Sequence, residues 1–230
     1  MINIMKKLGI IGGFGPKTTS EFMLALVFMW KKHLPSTRPE MLIWNGPVNE
    51  NLEEAFIKRG KHSTEFKDLA ITGAKTLEKA GAEFLVIPCN SLHIFIDSIR
   101  ESVNIPILSI PEITVAHLKQ TGVKRVAILG TQATIKSGLL ADFLKEAGIN
   151  VVTPSSKDQS KLNKIILNLV TGKAVSKSVF KKIVNNIKTK NPEKIILACT
   201  DLQLIQPHDE KSGFIDTLRL LEETTIEKML

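Results

Sequence analysis

The chain has no tyrosine, only two cysteines among 230 residues, and an aromatic content of 5%. Two thiols far apart in sequence, with no CxxC and no histidines clustered beside either, exclude a disulfide framework and offer a metal such as zinc no ligand set. The scarcity of aromatics bears on the charge. Lys and Arg outnumber Asp and Glu, 31 to 23, for a formal net charge of +8, a balance that elsewhere can mark a nucleic-acid partner. Here the lysines are scattered and no aromatic platform exists on which bases could stack, so the excess reads as a solvated surface and no nucleic-acid partner is expected. The densest basic stretch, SKSVFKKIVNNIKTKNPEK, sets Val179, Ile183, Val184 and Ile187 at helical spacing with lysines on the other side. Long apolar runs are absent as well. None approaches the roughly 18 residues of a membrane span, and MINIMKKLGII has no cleavage pattern of a secretory leader. A cytoplasmic protein with two free thiols and no membrane partner is expected.

What the chain does have is a regular alternation of short apolar runs and amphipathic stretches, the pattern of a parallel sheet covered by helices. KLGIIGG, EMLIWNG, EFLVIPC and IPILSI read as strands of a first half. Between them Thr18 to His33, Leu52 to Lys58 with Phe66 to Lys79, and Leu92 to Ser102 read as helices. The second half starts again with KRVAILGT, a helix from about Ile135 to Ala147 and a strand at INVVTPS. Helices at Lys161 to Val170 and Ser176 to Lys188 follow, and then KIILACT. KKLGIIGGFGPKTT has a counterpart in VKRVAILGTQATIK, and EFLVIPCNSLHIF has one in KIILACTDLQLI. The repetition predicts two similar α/β lobes of parallel sheet in a pseudo-twofold arrangement, with a boundary near Pro111 to Gln120. Ligands of open α/β sheets bind beyond the carboxyl ends of strands, so the cleft between the lobes is where chemistry is expected.

Both cysteines fall there. Cys89 in VIPCNSLHI and Cys199 in IILACTDLQLI each follow a strand run, and each precedes a polar pair, Asn90-Ser91 and Thr200-Asp201. A free cysteine is most often a small buried hydrophobe, and that reading stays open. The rival reading is a paired acid and base. A thiolate removes a proton from one face of a carbon acid while a thiol delivers one to the other, which inverts the centre. A strand end leading into a helix start also supplies amides that lower a thiol's pKa from about 8.5. GGFGPKTT is a glycine-rich turn opening a helix at Pro16. Its Gly13 and Gly15 are followed by Thr18 rather than a third glycine, and the second strand ends at Asn45 with no acid for a ribose, which disfavours a dinucleotide cofactor. The turn at Gly13, with the Thr18 or Thr19 hydroxyl, suits a carboxylate instead; a tight turn needing small residues is the plainer alternative. His93, four after Cys89, is placed to orient that thiol or to make a core hydrogen bond. Asp201 is expected to cap the helix after Cys199, with assistance to proton transfer as its other role. His33, His62, His117 and His208 have no ligand-like partners and are expected at the surface.

In this order and spacing, GGFGPKTT, PCNSLH and ACTDLQLI resemble the signatures of the aspartate/glutamate racemase family, part of the Asp/Glu/hydantoin racemase superfamily. The resemblance runs on through AGAEFLVIPCN, IDSIRESVNIPILSI and GVKRVAILGT to FIDTLRLLEE. It implies a dimeric amino-acid racemase of two α/β lobes that needs neither pyridoxal phosphate nor a metal, with Cys89 and Cys199 as catalytic pair. It also implies that the C-terminal helix returns to the first lobe, so that 1–115 with 211–230 form one lobe and 116–210 the other. Thr19, Asn90, Ser91 and Thr200 match positions at which the family grips the α-carboxylate and amino group. The departures concern the substrate's side chain. Aligned through Pro47, IWNGPVNENLEEAF has Asn51 and Leu52 where aspartate racemases carry aspartate and arginine, and Val170 stands where the family often has lysine. Ser91, Leu92 and Asp201 replace threonine, alanine and glutamate. Without a bidentate arginine, a desolvated side-chain carboxylate is poorly paired at a cost of about 2 to 5 kcal/mol. Lys17, Lys58 and Arg59 are the cations close enough in sequence to compensate. The substrate class stays open between aspartate, glutamate and an α-amino acid with a less acidic side chain. A non-catalytic ligand-binding relative is the reading from another class.

Overall fold

The computed structural model describes residues 5–60, 64–206 and 213–230; His62 and His208 lie outside them. Apolar runs without alternation suit strands covered on both faces, and two parallel sheets are built from them. In the first, β1 (Leu8–Gly12), buried throughout, lies between β2 (Met41–Asn45) and β3 (Phe84–Val86), with Leu8 level with Met41 and Phe84. The second has the order β5-β4-β6-β7, from β4 (Arg125–Gly130), β5 (Asn150–Val152), β6 (Lys194–Ala198) and β7 (Phe214–Asp216). The period of two sorts each sheet's side chains onto opposite faces. Leu8, Ile10, Phe84 and Val86 pack on one side with Phe22, Leu26 and Trp30 of α1 (Pro16–Trp30), while Ile11 and Leu85 pack on the other with Ala70, Ala74 and Leu77 of α3 (Thr64–Lys79). The second sheet repeats this. Ala127, Leu129, Ile195 and Leu197 meet α8 (Ser156–Val170) and α9 (Lys177–Lys188), and Val126, Ile128 and Ile196 meet α5 (Ile110–Gln120) and α7 (Leu139–Glu146).

Local chemistry sets where helices begin. Pro16 occupies the first turn of α1 behind left-handed Gly15, and Asn49 accepts from the amides of Asn51 and Leu52 to cap α2 (Glu50–Arg59). Ser109, Ser155, Ser176 and Asp216 cap α5, α8, α9 and α10 (Thr217–Met229) in the same way.

Several local expectations need correction. IPILSI makes one bridge, Leu85 to Ile107, rather than a strand, because Pro106 has no N–H for the ladder and Ser109 starts α5 at once. The segment Pro111 to Gln120, where the lobe boundary is expected, lies within that same helix, with Ile110 in the first lobe's core and Val115 and Leu118 in the second's. The single helix expected over Ile135 to Ala147 is split into α6 (Gln132–Lys136) and α7 by Gly138, which adopts φ 71°. Leu92 to Ser102 likewise divides, into a 3-10 turn at Asn90–Phe95 and α4 (Ile96–Arg100).

The chain's last part straddles both lobes. β7 extends the second sheet beside β6, whereas Leu218, Leu221, Ile226 and Met229 of α10 share a core with Leu8, Ile10 and Phe22. Lys6 N–H donates to the Met229 carbonyl at 3.2 Å, which ties the two ends of the described chain together. No helix among the described residues is long and apolar enough to cross a membrane.

Candidate active site

Each cysteine closes the apolar run begun by a strand, β3 or β6, and stands, in extended backbone, immediately before a 3-10 turn, Asn90–Phe95 after Cys89 and Thr200–Leu204 after Cys199. Because the strand ends of both sheets point into the cleft, the two thiols line one cavity. Asn90, Ser91, Thr200 and Asp201 line it as well, with Phe14, Glu53, Phe56, Ile57, Phe66, Leu92, Thr131, Ile166 and Val170 around them. The volume that water can occupy is about 30 Å³, room for a water or two between the lobes as they stand.

What holds them closed is a set of reciprocal hydrogen bonds made by the residues expected to grip substrate. Ser91 of the first lobe bonds Thr131 and Thr134 of the second, 2.9 Å to each, and Asn90 Nδ2 donates to Thr217 Oγ1 at 2.8 Å. From the second lobe, Thr200 Oγ1 donates to the Pro88 carbonyl at 3.0 Å, and Asp201 Oδ1 accepts from Thr18 Oγ1 at 2.6 Å. All of these side chains are buried.

The glycine-rich turn therefore holds a carboxylate of the protein itself. Gly15, at φ 94°, lies so close to Asp201 that a Cβ there would be 3.0 Å from each carboxylate oxygen, and Gly13 is pressed against Gly46. Thr19 folds into its own turn. It donates to the Gly15 carbonyl and accepts from Gly13 N–H, and neither Thr19 nor Gly13 lines the cavity. Asp201 is no helix cap, since Cys199 holds the cap position and the Asp201 side chain swings into the cleft, where Oδ2 is 3.8 Å from Cys199 Sγ.

Burial dominates the electrostatics. The Cys89 thiol is pushed up to about 12, against the opposing pull of the Leu92 and Ser91 amides and with the help of the Asp201 and Glu53 charges. Cys199 is raised by burial and then by Asp201. The lowering expected from the strand-end position is overridden, because two or three amides do not replace the water removed from a thiolate. Asp201 rises to about 6, burial outweighing its bonds to Thr18 and Cys199. His93 falls to about 4 through burial and is neutral. Its Nε2 accepts from Ile110 N–H at 3.1 Å, which leaves Nδ1–H to donate to the Cys89 carbonyl at 2.9 Å. The ring thus pins the 3-10 turn to the start of α5 and does not touch the sulfur.

On the α2 side the cavity is lined by residues the sequence reading passed over. Leu52 packs into the first lobe's core, and Asn51 is exposed at the start of α2. Glu53, Phe56 and Ile57, at i, i+3 and i+4, are the α2 residues on the cavity. The available signal was an acid on the apolar stripe of that helix. Val170 does line the cavity, so valine occupies the wall where a lysine was expected. Lys58 is paired with Glu54 at 2.7 Å on the outer surface, and Lys17, Lys58 and Arg59 are all exposed and off the cavity wall. Among the described residues no three His, Cys, Asp or Glu side chains gather as a metal site.

Two repeated α/β lobes that close a thiol-lined cavity between the carboxyl ends of their sheets define the class of protein. Comparison with known proteins names the family: residues 11–223 match the model of the Asp/Glu/Hydantoin racemase family, and the chain belongs to it. Over 230 residues it is 27% identical to the broad specificity amino-acid racemase RacX of Bacillus subtilis (strain 168), covering 97% of this chain and 98% of that protein. The aspartate racemase of Picrophilus torridus superposes with a TM-score of 0.80 at 25% identity, covering 97% of this chain and 94% of that one. An aspartate racemase homologue from Pyrococcus horikoshii OT3 gives 0.73 at 28%, covering 97% and 98%. Family membership supports an amino-acid racemase activity for this chain.

Proposed function

We propose that the protein is a cofactor-independent amino-acid racemase in which Cys89 and Cys199 act as a thiolate and thiol on opposite faces of Cα. The observation that carries this reading is the meeting in one cavity of two cysteines from equivalent points of the two lobes, each ahead of a 3-10 turn. When substrate enters, Ser91 and Thr200 exchange their cross-lobe bonds, and Asn90 its bond to Thr217, for the α-carboxylate and α-amino group. One cysteine, as thiolate, takes the Cα proton; an S–H bond forms, the C–H bond breaks, and its electron pair moves into the α-carboxylate. The other cysteine gives its S–H proton to the opposite face and is left as the thiolate. Inversion results, and the roles swap for the reverse direction. Asp201, beside Cys199, is the proton acceptor that lets one of the two resting thiols ionise once an ammonium group has entered.

Chiral chromatography of a panel of D- and L-amino acids, run without added cofactor in deuterated water, tests the reading. The expected result is loss of enantiomeric excess with deuterium at Cα, and a fall of roughly 10²- to 10⁴-fold for Cys89→Ala or Cys199→Ala. Either alanine variant racemising at the wild-type rate overturns the paired mechanism.

A further inference from the structure

The cavity between the lobes carries acid on its wall and no base. α2 contributes Glu53 beside Phe56, Asp201 adds a second carboxyl group, and no lysine, arginine or histidine stands among the lining residues. Among the described residues none stabilises Glu53 as an anion. It has been taken out of water and faces Asp201 and Glu50, both of which disfavour its charge. Beside it three rings form a continuous apolar wall, with Phe66 centred 5.8 Å from Phe14 and 5.0 Å from Phe56. A methylene chain that ends in a cation matches such a wall. The stem lies on the rings, and the charge reaches a carboxylate with aromatic faces nearby. A second carboxylate on the substrate would meet Glu53 and Asp201 with no cation to offset it.

Resting on the racemase reading for the reacting carbon, we infer that Glu53 is the specificity-determining residue and that the favoured substrates are α-amino acids with a cationic ω-amino side chain. Phe14, Phe56 and Phe66 seat the methylenes, and Val170 keeps the far wall neutral. Burial, Asp201 and Glu50 together raise Glu53 to about 7, so the carboxyl group is poised to ionise when a cation arrives.

The test sets lysine against norleucine, which has the same carbon chain without the ammonium, and against glutamate. For the wild-type protein, kcat/KM for lysine is expected to exceed both by at least about tenfold, with the difference in KM. In Glu53→Gln the lysine-to-norleucine ratio falls at least about tenfold, and Glu53→Lys moves the preference to glutamate. Racemisation of norleucine or glutamate as fast as lysine by the wild type, or a lysine preference that survives in Glu53→Gln, overturns the inference while leaving the racemase reading intact. Calorimetric titration separates the remaining outcomes. If nothing is racemised, tighter binding of lysine than of norleucine, lost in Glu53→Gln, sustains the inference and rejects the racemase reading; no such difference rejects both.

Discussion

In the closed, ligand-free protein Cys89 is a thiol that resists ionisation, and the extent can be worked out and measured. Its pKa is pushed up to about 12, so at pH 7 it carries at least about a thousandfold less thiolate than an exposed cysteine of pKa about 8.5 to 9. Iodoacetamide alkylation between pH 6 and pH 10.5, followed at Cys89 and Cys199 separately by peptide mass spectrometry, reads this directly. Alkylation requires the thiolate, so the logarithm of the rate should climb with unit slope across the whole range and reach no plateau. Burial also slows the reagent's approach, but access scales the curve without moving its inflection, and the inflection carries the test. Asp201→Asn removes an anion that raises both thiols, and through its hydrogen bond Cys199 most directly. Its rate at Cys199 should rise above wild type between about pH 7 and pH 9, where Asp201 is ionised. A plateau at or below pH 8 for either cysteine in the free wild-type protein would refute the reasoning, because a resting thiolate would then be stabilised without substrate.

His93 ties stability to acid. Its folded pKa of about 4 lies below the ordinary 6.5, so between those values the unfolded chain binds the extra proton. The stability it contributes is fully present above pH 6.5 and is lost as pH falls through 4, by up to about 3 kcal/mol. Raised groups such as Glu222, at about 7, act in the opposite sense, favouring the fold below pH 4.5 and losing that contribution as pH rises through 7. The urea midpoint of His93→Gln relative to wild type isolates the histidine, and the gap should narrow toward pH 4. Gly13→Ala would place Cβ 2.5 Å from the Gly46 nitrogen at φ 92°, and thermal unfolding should show a loss of about 2 kcal/mol or more. Ser91→Ala removes the hydroxyl shared by Thr131 and Thr134 and should cost about 1 kcal/mol by denaturant titration. An unchanged midpoint would mean that this cluster does not hold the lobes together.

The architecture was legible because it repeats. Short apolar runs at regular intervals, most of them ending in glycine or cysteine, specify a parallel sheet, and the two similar frames around Cys89 and Cys199 specify two lobes. The cap at Ser176 lies at an expected helix limit and Asn49 just outside one, whereas Ser155 starts α8 well before the expected Lys161. Misreadings arose where one residue changes backbone conformation: Gly138 splits a periodic stretch that otherwise looks continuous, and Pro106 denies a β-like segment its ladder.

Legibility at the site stopped at the residue types. The sequence by itself determined that two thiols, each with a polar pair behind it, stand at strand ends, since local patterning and strand length set those positions. Only the tertiary structure decided what each side chain faces. Thr18 and Asp201 are 183 positions apart yet 2.6 Å from each other, and the partners of Ser91 and Thr200 are groups of the opposite lobe, while Asn90 bonds Thr217 at the start of α10. The identity of the α2 residue that faces the cavity is likewise a matter of helix rotation. One residue along α2 separates Leu52, in the core, from Glu53, on the cavity, and a turn of about 100° per residue exchanges an apolar side chain for a carboxylate. That rotation is set by how Phe56 and Ile57 pack against both lobes at once, which no local pattern contains.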